Sequence, residues 1–314
     1  MRSKYRWLLA ALVVMTSCKT SVTTLQVEKV LLLNDFPSGS SLEYYDGRLY
    51  LSGDDATRLL ILDTNYNRAD SITLFESTEA RIPKALKADL EASAIISYNS
   101  RPHLLLIGSA SLPTREQVIL IPLNDTAKPQ VQSTSVYFSR LHSAGVSEVN
   151  IEGAATAGKF LIMGNRGNLS NPHNQLVFTD TNFWLHPHTA AVDSAVIVWP
   201  RTKTFTGISS LAYIEEDDLL LFAASTELTG STLEDGKIGD SYIGWVKNIS
   251  GKAGEKRITA DGFINLTTSN NVFAKEKIES ICVSHSHENM HTIHLVSDND
   301  NGVSKLFKVQ LRIE

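Results

Sequence analysis

Residues 38–63 read SGSSLEYYDGRLYLSGDDATRLLILD, and this stretch decides the fold. It holds a short strand of small residues, then a second apolar strand that ends in the polar Asp54-Asp55, then a third strand that ends in a turn former. The segment ADSITLF at 69–75 adds a fourth strand. Runs of this length, separated by Gly, Asn, Asp and Ser clusters, are strand signals, and long helical periodicity is almost absent from the chain.

The same unit returns four times. ADLEASAIIS (88–97), HLLLIGSAS (103–111), QVILIPLND (117–125) and QVQSTSVYF (130–138) form the second, and VNIEGAATAG, KFLIMGNRG, NQLVFTDT and SAVIVWP between 149 and 200 form the third. GISSLAYIEEDD, LLLFAASTE, SYIGWVKN and RITADGFINL form the fourth within 207–266. The fifth runs KIESICVSH, HTIHLVSDND and SKLFKVQL from 277 to 311, one strand short. A period of this length marks a repeat architecture.

The missing strand stands at the other end of the chain. Val27–Leu33 is a strand without a unit, and pairing it beside Lys305–Leu311 closes a ring, which removes the open edges of an unclosed sheet. The expectation is an all-β chain folded as a single β-propeller over residues 27–314. Five blades account for nearly every residue; six remain open if the long third or fourth unit hides another blade, and two stacked sandwiches would leave the repeated opening strand unexplained.

In a propeller the first strand of each blade lines the central channel. Aligning the words GSSLE, LEASA, IEGAA, ISSLA and IESIC sets Ser40, Glu91, Glu152, Ser209 and Glu279 at one position. Three carboxylates brought to one axis repel unless protonated or neutralised. Glu91, Glu152 and Glu279 are therefore candidate ligands for a hard, oxygen-seeking ion, with Ca²⁺ as the expected cofactor. The alternative is a structural ring in which the glutamates accept hydrogen bonds from nearby backbone.

The second strands end on the same face. They bring Asp54, Asp55, Ser109, Asn165, Arg166, Ser225, Thr226 and Asp298–Asp300 toward the channel mouth. The loop Arg81–Glu91 adds Arg81, Lys84 and Lys87. With Arg58, Arg115 and Arg166 these cations form a candidate anion site. Ser40, Asp54, Asp55, Arg81, Lys84, Arg166, Ser209 and Asp298 make up the candidate ligand-binding set. Ala224–Trp245 reads as a long hairpin over the entrance. His285, His287, His291 and His294 resemble a metal tract but straddle a turn at the opposite end of the blade. No nucleophile elbow, Gly-rich phosphate loop or zinc-protease helix is present in the sequence.

The first residues read as targeting sequence. Arg2, Lys4 and Arg6 precede the apolar stretch Trp7–Met15, which is shorter than the roughly 20 residues of a membrane-spanning helix. The expected boundaries are a signal peptide at 1–17 and a linker at 18–26. Losing those three positive charges takes the net charge from −5 to −8, which argues against a nucleic-acid partner. Cys282 is the only cysteine besides Cys18.

Two resemblances follow from these words. Met15-Thr16-Ser17-Cys18 resembles the lipobox of bacterial lipoproteins, which implies a lipid on Cys18 and anchorage to a membrane. SGSSLEYYDGRLYLSGDDATRLLILD, RIPKALKADLEA, NIEGAATAG, GISSLAY and GDSYIGW resemble an uncharacterised family of Bacteroidota lipoprotein β-propellers. The Asp-Leu-Glu and Ile-Glu-Gly openings are more distantly similar to esterase-like phytase propellers and to periplasmic propellers with an Asp-Leu-Glu-Gly repeat. The implied protein is a calcium-associated propeller of the cell envelope. Lys19–Thr24 lacks the acidic cluster of surface-exported relatives, which points to the periplasmic side. Ser40 and Ser209 interrupt the glutamate ring, and Ala92 and Ser280 replace the glycine after Glu. Two functions remain: a propeller that binds a ligand, whether a small anion or a protein partner, at the mouth; and a metal-dependent phosphoester or ester hydrolase, phytase-like or lactonase-like.

Overall fold

A computed structural model describes residues 23–79, 81–123, 128–228, 236–299 and 302–314. The expected signal peptide, Cys18 and Asp300 lie outside these residues. Among the described residues no helix is long and apolar enough to cross a membrane.

Five sheets stand in a ring as the blades of a propeller. Blade one pairs Gly39–Tyr45, Arg48–Gly53, Arg58–Asp63 and Arg68–Thr73, and blade two pairs Leu90–Tyr98, Arg101–Gly108, Gln117–Pro122 and Gln130–Ser133. Blade three holds Ile151–Ala157, Phe160–Asn165, Gln175–Asp180 and Asp193–Val198. Blade four holds Gly207–Ile214, Leu219–Leu228, Lys237–Lys247 and Gly262–Asn265. Blade five takes Ile278–His287, Met290–Asp298 and Ser304–Arg312 from the C-terminal end and Thr24–Leu33 from the N-terminal end. That last pairing is antiparallel, from Thr24 beside Arg312 to Leu33 beside Ser304. The closing strand thus begins at Thr24, three residues before the boundary expected at Val27.

The ring has five blades and not six, because the extra length of units two to four goes elsewhere. The strand expected over 130–138 ends at Ser133, and Ser135–Ser143 is a helix that sinks Tyr137, Phe138 and Leu141 into the gap between blades two and three. Arg257–Thr259, expected in blade four, instead runs parallel to Asp193–Val198 as a fifth strand on the edge of blade three. Only Gly262–Asn265 returns to complete blade four. The crossing strand covers an edge that would otherwise expose unpaired backbone.

The core is divided among the five gaps between blades. Leu59, Leu104 and Ile119 fill the first gap, Met163 and Trp184 the second, Phe178 and Phe222 the third. Trp245, Phe273 and Phe307 fill the fourth, and Leu42, Leu62 and Leu306 the one that closes the ring. Each blade therefore buries its apolar faces only by having neighbours on both sides.

Near the axis the inner strands approach closely, which explains the small residues of the repeat. Ser41, Ala92, Gly153, Ser210 and Ser280 occupy equivalent positions there. Ser280 Oγ accepts a hydrogen bond from the Leu42 amide at 2.9 Å, and Ser210 Oγ accepts one from the Ile281 amide at 3.1 Å, each crossing to a neighbouring blade. A Cβ on Gly153 would lie 2.7 Å from the backbone nitrogen of Leu211 in blade four. Backbone cannot yield as a flexible side chain does. Gly153→Val is accordingly expected to destabilise the fold by about 1–3 kcal/mol in urea unfolding; wild-type stability would show that blades three and four are not in such contact.

Candidate functional site

One local device repeats in all five inner strands. Strand pairing slips by one residue between Gly39 and Ser41, Leu90 and Ala92, Ile151 and Gly153, Ile208 and Ser210, and Ile278 and Ser280. The extra residue of each β-bulge is Ser40, Glu91, Glu152, Ser209 or Glu279, the five positions aligned from sequence. A bulge leaves its extra residue unpaired and re-aims its side chain. Here it presents five equivalent side chains at one end of the channel.

The two serines and three glutamates then part company. Ser40 Oγ donates to the Leu90 carbonyl, and Ser209 Oγ donates to the Ile278 carbonyl at 2.7 Å. Each hydroxyl is thus used to tie one blade to the residue before the next bulge. These two expected ligand-binding residues serve the ring itself.

The glutamates feel one another. Burial and then the charges of Asp89, Glu152 and Asp54 push the Glu91 carboxyl well above the ordinary range. Glu152 is pushed up to about 7, first by burial, with Glu279 adding to the rise and Arg166 opposing it. Burial also raises Glu279, against the pull of Lys277 and Arg166.

Two groups of charges surround them. In the first, Lys87 Nζ bridges Asp54 and Asp89, the latter at 2.6 Å. Asp89 also takes Arg115 Nη1 at 2.6 Å and the Ser109 hydroxyl at 2.5 Å. Oxygens of Asp54, Asp89 and Glu91 fall within 4.8 Å of one another, the one group of three acids among the described residues able to share an ion. In the second, Arg166 lies 3.8 Å from Glu152 and 3.3 Å from Glu227, while Lys277 Nζ lies 3.1 Å from Glu227 and 2.8 Å from Glu279. Burial alone would lower the Lys277 ammonium, but Glu279 and Glu227 hold it well above its usual value.

The expected trio Glu91, Glu152 and Glu279 is therefore divided. Glu91 joins Asp54 and Asp89, whereas Glu152 and Glu279 are countered by Arg166 and Lys277. Arg81 meets Asp55 at 2.7 Å and Ser38 Oγ at 2.8 Å at the rim. Asp298 adds its charge to Arg81, and Lys84 is exposed in the turn before Lys87. Arg58 is not at the mouth; it bonds Ser71 on the outer strand of blade one. Its place in the anion site is corrected, because the start of a third strand lies far out along the blade.

Asp89, Lys277 and Glu227 were missed from sequence. Two of them carry a signal, since Ser38, Asp89, Asn150, Gly207 and Lys277 each stand two residues before a bulge. They form a second ring that services the first: Asn150 Nδ2 donates to Glu152 Oε1 at 2.7 Å, and Lys277 meets Glu279. At Gly207 an added Cβ would lie 2.6 Å from Arg166 Nε, so glycine makes room for that guanidinium. Glu227 lies past an irregular register in the long hairpin, whose residues 229–235 are outside the described residues.

The sequence profile that matches this chain spans residues 35–311. The chain belongs to DUF6929, a family of unknown function. No curated protein matches it. Among solved structures, glutaminyl cyclase from Myxococcus xanthus is similar, with a TM-score of 0.52 and 11% identity over 93% of this chain and 98% of that one. The tail fibre of Staphylococcus aureus phage P68 has a TM-score of 0.50 and 8% identity over 93% of this chain and 53% of that one. A DUF4221 member from Bacteroides vulgatus has a TM-score of 0.44 and 12% identity over 93% and 99% of the two chains. At these identities the likeness speaks to the fold alone.

Two other polar features of the DUF6929 chain are internal. His294 is fully buried between Tyr66 Oη and Ser284 Oγ, both at 2.9 Å, and burial lowers it to about 4. His291 bonds Ser286 at 3.0 Å, and among the described residues the histidines form no group of three close enough to share an ion. Deeper in the channel, a cavity of about 160 Å³ touches all five inner strands and holds Glu43, pushed well up by burial, beside the buried Cys282 thiol.

The raised carboxylates set a direction for pH. A carboxyl whose folded value exceeds its unfolded one stabilises the fold while protonated and loses that contribution as pH rises through the folded value. For Glu152 the window runs from its ordinary 4.5 to about 7. Stability in urea is expected to fall between those values, and Glu152→Gln to flatten the fall by on the order of 1–3 kcal/mol at pH 8. An unchanged slope in that variant would contradict the placement of Glu152.

Proposed function

We propose that this chain is an envelope lipoprotein, tethered by lipid on Cys18 at the periplasmic side, whose channel mouth binds a ligand around a hard divalent cation such as Ca²⁺. One observation carries the reading: Asp54 Oδ1, Asp55 Oδ1 and Glu279 Oε2 are buried with no hydrogen-bond donor among the described residues. Buried acceptors without donors are costly, and a cation or a donor-rich ligand removes that cost.

The donor set suits such an ion. Asp54, Asp89 and Glu91 supply only oxygens, the preference of Ca²⁺ over softer metals, and water or ligand atoms would complete its shell. Lys87 already sits between two of these acids, so an arriving ion competes with an ammonium. The raised Glu91 carboxyl binds a proton more readily than an ordinary one, so a proton competes with the ion there. Cation binding is therefore expected to release protons and to tighten as pH rises.

Calorimetric titration of the mature domain with Ca²⁺ in two buffers of different ionisation heat tests this. One site, proton release and a rise in melting temperature are expected, with Asp54→Asn weakening affinity about tenfold or more. No heat and no thermal shift with Ca²⁺, Mg²⁺ or Mn²⁺ at millimolar concentrations would overturn the cation site.

A second reading rests on Glu152. A carboxyl near neutrality beside a guanidinium is equipped for general acid–base work, with Arg166 stabilising developing negative charge. The phytase-like or lactonase-like hydrolase belongs here. Turnover of a phosphoester or lactone, lost in Glu152→Gln while the variant remains at least as stable as wild type, is the expected result for an enzyme. A panel without turnover leaves the binding reading standing alone.

A further inference from the structure

A groove of about 520 Å³ lies at the junction of blades three and four. Its walls are the chain that leaves the outer strand of blade three and enters the inner strand of blade four, the loop around His173 and Asn174, and the crossing strand at Arg257. The first two belong to the same face as the acidic mouth. Asn174 joins the two regions: its Nδ2 donates to the Thr206 carbonyl at 3.0 Å, and its Oδ1 accepts from the Gly167 amide at 3.2 Å, beside Arg166.

The charge of the groove is opposite to that of the whole chain. Arg201, Lys203 and Arg257 line it, all are exposed, and none makes an ion pair among the described residues. No carboxylate lines it among the described residues. The chain as a whole carries a net charge of −5, and at the mouth Arg81, Lys87, Arg115, Arg166 and Lys277 are each paired with acids. The floor is aromatic. Trp199 and Phe205 line the groove half-buried, and Trp199 is fixed from behind by stacking on Phe263 at 5.4 Å between ring centres, with Tyr242 stacked on Phe263 at 4.7 Å. The crossing strand positions Arg257, since Val196, Ile197 and Val198 pair with Arg257, Ile258 and Thr259. A volume of this size suits a small organic molecule rather than a bare ion.

We infer that the blade three–blade four groove binds a small organic polyanion bearing a flat ring, its anionic groups against Arg201, Lys203 and Arg257 and its ring against Trp199 and Phe205. Guanidinium groups hold carboxylate, sulfate or phosphate oxygens in fixed geometry, and the aromatic floor rewards a ring over a simple ion. The site is independent of the cation proposed at the mouth.

Pyrene tetrasulfonate, a fluorescent aromatic polyanion, is a direct probe. Fluorescence anisotropy with the mature protein in EDTA is expected to give saturable binding that weakens with salt. The Arg201→Ala/Lys203→Ala/Arg257→Ala variant should bind about tenfold or more weakly while melting as wild type does, because three exposed cations together contribute on that scale. Lys159→Ala, on the opposite face, should leave binding unchanged. Absence of saturable binding, or equal binding by the triple variant, would overturn the proposal. Orthophosphate competing as well as the dye would overturn it too, since it has no ring.

Discussion

Bringing carboxylates to a shared axis is the constraint around which this molecule is arranged. A propeller's innermost strands must meet, and three of the five carry an acid at the point of meeting. Like charges in a low-dielectric setting cannot all remain ionised without compensation. The chain uses three remedies at once. Arg166 and Lys277 supply fixed positive charge to Glu152, Glu227 and Glu279. Ser40 and Ser209 leave two positions neutral and use them as ties between blades. Glu91, which shares its surroundings with Asp54 and Asp89 beside Lys87 and Arg115, has its carboxyl pushed well above the ordinary range and so holds a proton more readily. The last remedy is the weakest, because a proton is readily exchanged for another cation.

The bulge explains why acids are tolerated at these points at all. In a regular inner strand a side chain faces one flank of its blade, where the apolar gap would strip it of water. The extra residue turns the side chain out of that gap toward the mouth. The position after the bulge then falls where the strands are closest, which is why only Ser, Ala and Gly occupy it. A polar ring and a small-residue ring one step apart are two results of one backbone irregularity.

Much of this was legible because the irregularity has a sequence signature. The words GSSLE, LEASA, IEGAA, ISSLA and IESIC align on the bulged residue, and five strand sets with one missing strand imply ring closure through Val27–Leu33. What was not legible was pairing between charges. Glu91 and Glu279 look alike in their words, yet one is two residues from Asp89 and the other two residues from Lys277. That local difference sends the first toward a cation site and the second toward an internal ion pair. Glu227 gave no signal, since it ends the second strand of its unit where only an irregular register turns it inward. The crossing strand Arg257–Thr259 was hidden for a related reason: a strand's sequence shows its two faces but not which edge it will join.

Charge is also partitioned across the face that carries the mouth. The axial region concentrates acids and holds its cations in pairs, while the groove beside it keeps Arg201, Lys203 and Arg257 without acidic partners among the described residues. The two regions share a wall at Asn174, whose side chain bonds the backbone on both sides. A rigid wall between opposite potentials lets each region keep its own field, because the cations are not drawn into the acidic network and its pairs are not disturbed from outside. Arg166 stands at that boundary, fixed by Glu152, Glu227 and Ser225 and packed against Gly207. A larger residue at 207 would push the guanidinium toward the axis or out of it, and either shift would alter the balance at Glu152.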